Sequence, residues 1–84
     1  MLQFWAEGRK VTVQCEEDGT PICFFMAAQR HSVEEVIKQW QLEDEWWASA
    51  QSRSYFKLTT DTGLLVLLYW DWVREKWFLQ RIYD

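Results

Sequence analysis

The sequence has few of the residues from which most enzyme and metal sites are built. It contains one histidine, two cysteines, three glycines and one proline among 84 residues. The histidine, His31, has no nucleophile at a recognisable spacing, and two cysteines with one histidine are too few for a structural zinc site. The scattered glycines form no phosphate-binding loop. The sequence therefore predicts a protein that is not an enzyme and that has no metal or cofactor.

Basic residues and long apolar runs are also scarce. Nine Lys and Arg residues stand against 13 Asp and Glu residues, which gives a net charge of -4. A general binder of the phosphate backbone needs a basic excess, so this balance argues against that class. The longest clear apolar run, Leu64 to Leu68, has the length of a strand. The first residues lack a basic segment followed by an apolar one, so we expect a cytoplasmic protein without membrane contact.

Aromatic residues are the one class in clear excess. Seven Trp, five Phe and three Tyr make up 18% of the chain. An enclosed aromatic side chain buries on the order of 150–250 Å², whereas a domain of this size buries only about 60% of its unfolded surface. We therefore expect most rings in the core. The last few rings are expected on a surface that binds a partner, because Trp, Tyr and Arg dominate interface energetics.

Alternating side chains predict a set of strands. Residues 9–16 alternate with period two, and the turn segments at Gly19 and Gly63 accept positive φ. The connections between successive strands are short, which favours antiparallel pairing. The predicted strands cover residues 9–16, 22–27, 55–60, 64–72 and 77–83.

A helix is predicted between the second and third strands. Ser32 and Glu35 have the spacing of a capping box. Behind them, four apolar residues follow the one-sided helical spacing: Val33, Val36, Ile37 and Trp40. The helix is expected to end between Gln41 and Trp47, before a linker over residues 48–52. The sequence thus predicts an α+β fold in one domain of residues 1–84, with residues 1–8 less ordered. Its antiparallel sheet or partly open barrel has about five strands in the order β-β-α-β-β-β.

The two cysteines lie on opposite arms of the first predicted hairpin. If its residues 17 and 21 face each other, Cys15 faces Cys23, and a cross-strand disulfide is geometrically conceivable. A reducing cytoplasm favours two buried thiols instead.

Aromatic and basic residues alternate on two of the predicted strands. One face of the third strand carries Arg53, Tyr55 and Lys57, and one face of the last strand carries Trp77, Leu79, Arg81 and Tyr83. If both faces lie on the same side of the sheet, cations and rings interleave there. Such a surface could stack the bases of a single-stranded nucleic acid or bind an acidic partner segment. The alternative is cation–π packing within one molecule.

These features predict a non-enzymatic interaction module that binds a protein, with a homodimer as a special case. The alternative function is a single-stranded nucleic-acid-binding domain that uses Tyr55, Lys57, Trp77 and Arg81. The candidate partner-binding residues are Trp46, Trp47, Tyr55, Lys57, Trp70, Trp72, Trp77 and Arg81.

The chain also resembles a small bacterial family, a domain of unknown function. The resemblance lies in Asp18-Gly19-x-Pro21-x-x-Phe24, Val33-x-x-Val36-x-x-x-Trp40, Trp46-Trp47, Tyr55-Phe56, Gly63, Tyr69-x-Asp71 and Trp77-x-Leu79-x-Arg81-x-Tyr83-Asp84. It covers almost the whole chain from Val11 onward. Members of that family are encoded near error-prone Y-family DNA polymerases and their mutasome partners. The resemblance therefore implies a polymerase-associated partner and a role in DNA damage tolerance, and it implies no catalytic residue.

Overall fold

The computed structural model describes residues 3–46 and 49–83, and the regular structure in these two ranges is entirely β-strand. The strands are β1 (Gln3–Lys10), β2 (Thr12–Cys15), β3 (Pro21–Met26), β4 (Gln29–Trp46), β5 (Ser49–Thr60), β6 (Leu65–Asp71) and β7 (Lys76–Tyr83). They form one antiparallel sheet in the order β1-β7-β6-β5-β4-β3-β2. Since the described ranges contain no helix, the predicted α+β fold is wrong, and the fold is all-β.

The sheet curls into a half-barrel. Its two edge strands, β1 and β2, follow each other in the chain and are joined by Val11 alone. The Val11 side chain is buried, and its amide donates a hydrogen bond to the Trp77 carbonyl at 3.2 Å. A seven-stranded sheet whose two edges are one residue apart in the chain must curve back on itself. The molecule therefore has a concave and a convex sheet face.

The segment predicted as a helix lies within the 18-residue strand β4. Its pairing with β5 shifts register twice, once around Glu34 and once around Ile37. Each shift inserts one extra residue, and the first inserts Glu34 between Val33 and Val36. These two residues therefore pack against the same core cluster although they are three residues apart. A bulged strand thus gives these two valines the i, i+3 spacing of a helix, whereas Ile37 is exposed and Trp40 packs against a different cluster. The β-branched Val and Ile side chains suit the strand better than the helix.

The predicted capping box is also replaced by strand contacts. The Ser32 amide donates to the Asp61 carboxylate at 3.0 Å, and the Asp61 amide donates to the Ser32 carbonyl at 3.0 Å. Asp61 lies in the turn between β5 and β6, so Ser32 is tied to a neighbouring hairpin and not to Glu35. The backbone amide and carbonyl of Ser32 therefore both bond outside the segment that the sequence predicts as a helix.

The remaining boundaries differ less from prediction. The predicted strand 9–16 divides into the end of β1, Val11 and β2, while β3, β6 and β7 coincide closely with the predicted strands. Gly19 and Gly63 lie in turns with φ of 91° and 85°, as expected. The predicted linker 48–52 is strand from Ser49 onward, and its first residue lies outside the described residues.

Two hydrophobic clusters lie on opposite faces of the sheet. The larger consists of Val11, Phe24, Phe56, Leu58, Val66, Leu68, Trp77 and Leu79. It brings Phe24 of β3 together with residues of β6 and β7, which only the concave side of a curled sheet allows. The smaller cluster, on the convex side, consists of Tyr55, Leu67, Tyr69 and Phe78. Alternation along β5 and β6 distributes successive residues between the two clusters.

A bulge in β7 divides a set of residues that the sequence predicts on one face of this strand. Leu67 pairs with Arg81, but Leu68 pairs with Leu79, so the register skips a residue of β7. Trp77 and Leu79 therefore belong to the concave cluster. Arg81 stacks on the convex-face ring of Tyr83 instead. A one-residue shift moves every following side chain to the other face, and strict alternation could not show it.

Both cysteines are free thiols. A register shift in the β2–β3 hairpin pairs Gln14 with Cys23 and Cys15 with Pro21, so the cysteines do not face each other. Cys23 is fully buried and its thiol donates to the Gln14 side-chain oxygen at 3.3 Å. Cys15 is exposed, which corrects the expectation of two buried thiols.

Candidate binding site

A cavity of about 310 Å³ opens on the concave face. The tip of the β2–β3 hairpin lines one side of it, and strands β4 to β7 line the other. Its aromatic lining consists of Phe56, Trp70, Trp72 and Trp77. Polar side chains from the hairpin and from two strands complete the wall. The cavity is therefore an aromatic site with a polar rim, the usual composition of a binding pocket.

The aromatic rings of the cavity pack against one another at steep angles. The rings of Trp70 and Trp72 meet edge to face, with centroids 6.1 Å apart and planes at 88°. The ring centroid of Trp77 lies 5.6 Å from that of Trp70 and 5.5 Å from that of Phe56. Trp77 and Phe56 are buried in the core, whereas Trp72 is 55% exposed. The site thus has a rigid aromatic base and one exposed indole at its opening.

Hydrogen bonds fix Trp72 although it is exposed. Its indole N–H donates to the Ser54 hydroxyl oxygen at 2.9 Å, and its amide donates to the Ser52 carbonyl at 2.9 Å. The Gln41 side-chain amide donates to the same Ser54 oxygen at 3.4 Å. Ser54 is itself buried. An exposed Trp whose indole N–H and backbone amide are both hydrogen-bonded within the protein has little freedom left to lose on binding.

The turn after β6 sets the position of Trp72. The buried carboxylate of Asp71 accepts hydrogen bonds from the amides of Val73 and Arg74 at 2.9 and 3.1 Å. The Glu75 amide donates to the Asp71 carbonyl at 2.7 Å. This short-range bonding by an Asp side chain is typical of turns. The backbone direction at Trp72 is defined because Asp71, which precedes it, is hydrogen-bonded to the amides of the three residues that follow it.

The rim of the cavity is acidic. Asp18 lines it, and the Asp18 carboxylate accepts a hydrogen bond from the Thr20 amide at 2.9 Å. That bond lowers the pKa of Asp18 below its ordinary value, because it stabilises the ionised form. Glu16 and Glu17 are exposed on the same hairpin. Among the described residues that line the cavity, none is Lys or Arg.

The convex face has the opposite character. Cations lie over its rings: Arg53 over Tyr69 at 4.5 Å, Lys57 over Tyr83 at 4.7 Å, Arg81 over Phe4 at 4.8 Å, Arg74 over Phe78 at 5.0 Å and Lys38 over Trp40 at 5.2 Å. Tyr55 stacks on Trp40 with planes at 7° and is only 7% exposed. Tyr69 is completely buried, and burial raises the pKa of its hydroxyl. The predicted alternation of cations and rings is present here in part, as packing within one molecule, whereas Trp77 and Leu79 lie on the other face.

The predicted partner-binding residues fall into three groups. Trp70, Trp72 and Trp77 come together in the cavity, whereas Tyr55, Lys57 and Arg81 lie on the convex face. Trp46 ends β4, but its side chain is not described, and Trp47 lies outside the described residues. Sequence reasoning missed Asp18, Gln41 and Ser54 as parts of the site. Of these three residues only Asp18 stands out in the sequence, because it lies next to Gly19 in a predicted turn.

The His31 side chain packs inside the protein and lies close to one hydroxyl group. Its ring is buried and stacks on Phe24, with centroids 5.1 Å apart. Its Nδ1 lies 2.7 Å from the Thr62 hydroxyl oxygen. Within residues 3–46 and 49–83, no three His, Cys, Asp or Glu side chains are grouped to hold a metal ion. The same residues contain no helix long and apolar enough to cross a bilayer.

Comparisons with protein-family models, with curated proteins and with solved structures gave no match to this chain.

Proposed function

We propose that this chain is a non-enzymatic interaction module whose concave cavity binds a segment of a partner protein. The observation that carries the proposal is Trp72, which is 55% exposed and yet held by its bond to Ser54 beside an open aromatic cavity. Trp is among the residues most enriched at interface hot spots. A side chain ordered before binding keeps most of the free energy that its burial releases.

The alternative, a single-stranded nucleic-acid-binding domain, has less support from the positions of its residues. Its four residues were Tyr55, Lys57, Trp77 and Arg81, and Trp77 lies on the concave face away from the other three. Tyr55 and Trp77 are 7% and 8% exposed, which leaves their rings no free face on which a base could stack. The cations of the convex face lie against rings of the same molecule. We therefore favour a protein partner.

The family resemblance gives the proposal its biological context. It favours a polymerase-associated partner and a role in DNA damage tolerance. A homodimer is the special case in which the exposed aromatic residues of one copy pack against those of a second copy. Sedimentation distinguishes the two, because only self-association makes the apparent mass of the isolated chain depend on its concentration.

Trp72→Ala tests the proposal against a matched neighbour. The partner is first isolated from nuclease-treated bacterial lysate after DNA damage, and its affinity is then measured by calorimetry with purified proteins. Trp72→Ala should weaken binding by at least about 30-fold, which corresponds to about 2 kcal/mol. Val73→Ala is the control, since Val73 is also exposed but does not line the cavity.

The control should change the affinity by less than about threefold. Equal losses in the two variants, or no loss in either, would show that the cavity is not the binding site. Capture that disappears after nuclease treatment would point to nucleic acid instead.

A further inference from the structure

Two acceptor side chains, Asp18 and Gln41, lie among the described residues that line the cavity, and none of these residues is Lys or Arg. The Asp18 carboxylate lines it as an anion. The Gln41 amide nitrogen donates to Ser54, so the Gln41 side chain retains its carbonyl oxygen as an acceptor at the wall. Acceptors without a nearby cation attract a ligand that donates hydrogen bonds and carries positive charge.

The aromatic lining favours the same kind of ligand. Trp is the ring that binds cations best, through the negative potential over its face. The planes of Trp70 and Trp72 are almost perpendicular, and Trp77 is tilted by 56° to Trp70. All three rings border this one open cavity. A flat guanidinium can lie against a ring and still direct its N–H groups to a carboxylate.

The charge distribution of the whole molecule supports this assignment. The cations that stack on rings all lie on the convex face or its margin, whereas Glu16, Glu17 and Asp18 cluster on the hairpin beside the cavity. The hairpin beside the cavity therefore carries negative charge, and the cations that stack on rings lie on the opposite face. A basic segment is drawn toward the concave side, and an acidic one is not.

We propose that the cavity binds the guanidinium of an arginine side chain in a basic segment of the partner protein. This inference rests on the proposed function and specifies its ligand. The volume of about 310 Å³ is at the small end of ligand sites, which are roughly 300–1,000 Å³. It therefore suits one side chain and not an extended ligand. Asp18 supplies the counter-charge, and Trp70 and Trp72 supply the aromatic surfaces.

Two small probes test the charge requirement directly. N-acetyl-arginine methylamide and N-acetyl-citrulline methylamide have nearly the same shape, but only the first is charged. Each is titrated into the ¹⁵N-labelled chain while the indole N–H signals of Trp70, Trp72 and Trp77 are followed. The arginine probe should shift these signals and bind at least about 10-fold more tightly than the citrulline probe, as expected for a paired cation.

Asp18→Asn tests the counter-ion while keeping an acceptor for the Thr20 amide. It should weaken binding of the arginine probe by at least about fivefold and leave the citrulline probe unchanged. Glu17→Gln is the matched control, because Glu17 is a neighbouring exposed acid that does not line the cavity. Its effect should be below about twofold at physiological salt.

Equal binding of the two probes, no shift with either, or equal effects of Asp18→Asn and Glu17→Gln would overturn the inference. The proposed function is judged separately by Trp72→Ala and the isolated partner. If that variant loses the partner while the probes fail to discriminate, the cavity binds a partner by another group. If the variant retains the partner, the proposed function itself fails.

Discussion

Gly8 shows how one residue without a side chain permits the packing of the convex face. It lies in the bulged part of β1 with φ of +80°, beside two residues of the convex cluster. A Cβ atom there would lie 2.7 Å from the Phe78 Cβ and 2.9 Å from the Tyr69 hydroxyl oxygen. Neither neighbour can move easily, because Tyr69 and Phe78 are buried and stack on each other with centroids 5.2 Å apart.

Gly8→Ala should therefore lower the free energy of unfolding by about 2–4 kcal/mol, as the sum of a positive-φ penalty and overpacking. Urea denaturation measures the loss. Gly63→Ala is the control, since Gly63 has φ of +85° but no atom within 4 Å of its added Cβ. It should lose only about 1–2 kcal/mol. Equal losses in the two variants would contradict the claim that contact with Phe78 and Tyr69 excludes a side chain at position 8.

At the level of elements, the sequence predicts hairpins better than it predicts the long strand. Most of the strands that flank Gly19 and Gly63 lie close to their predicted positions, and their turns carry the expected glycines. The spacing of Val33, Val36, Ile37 and Trp40 predicts a helix within β4. In the structure a bulge at Glu34, between Val33 and Val36, brings those two residues to one face of a strand. Bulges arise from pairing with a neighbouring strand, so the apolar spacing within β4 does not distinguish a bulged strand from a helix.

The turn between β3 and β4 has no glycine where its backbone favours one. Ala27 and Ala28 have φ of 52° and 63°, which is the type I′ pattern of a two-residue hairpin. The double variant Ala27→Asn with Ala28→Gly should raise the free energy of unfolding by about 1–2 kcal/mol, because Asn and Gly adopt positive φ more readily than Ala. Thermal and urea unfolding measure the gain. Ala28→Val should lower stability, and a gain from Val would contradict this view of the turn.

At the scale of the whole molecule, the curl of the sheet creates the site. Asp18 and Ser54 are far apart in the sequence, and they line one cavity because the β2–β3 hairpin lies over the concave face of the later strands. The aromatic surplus was enough to select Trp70, Trp72 and Trp77 as candidates. It could not separate them from Tyr55, whose ring is covered on the other face, because the face depends on register and bulges.

The central claim is that the partner binds the concave cavity and not the convex face. The most direct test follows the ¹⁵N-labelled chain while the purified partner is added. We expect the indole N–H signals of Trp70 and Trp72 to shift or broaden, while the backbone amides of Lys57 and Tyr83 on the convex face stay unchanged. Changes confined to Lys57, Tyr83 and their neighbours, with unaltered indole signals, would contradict the account.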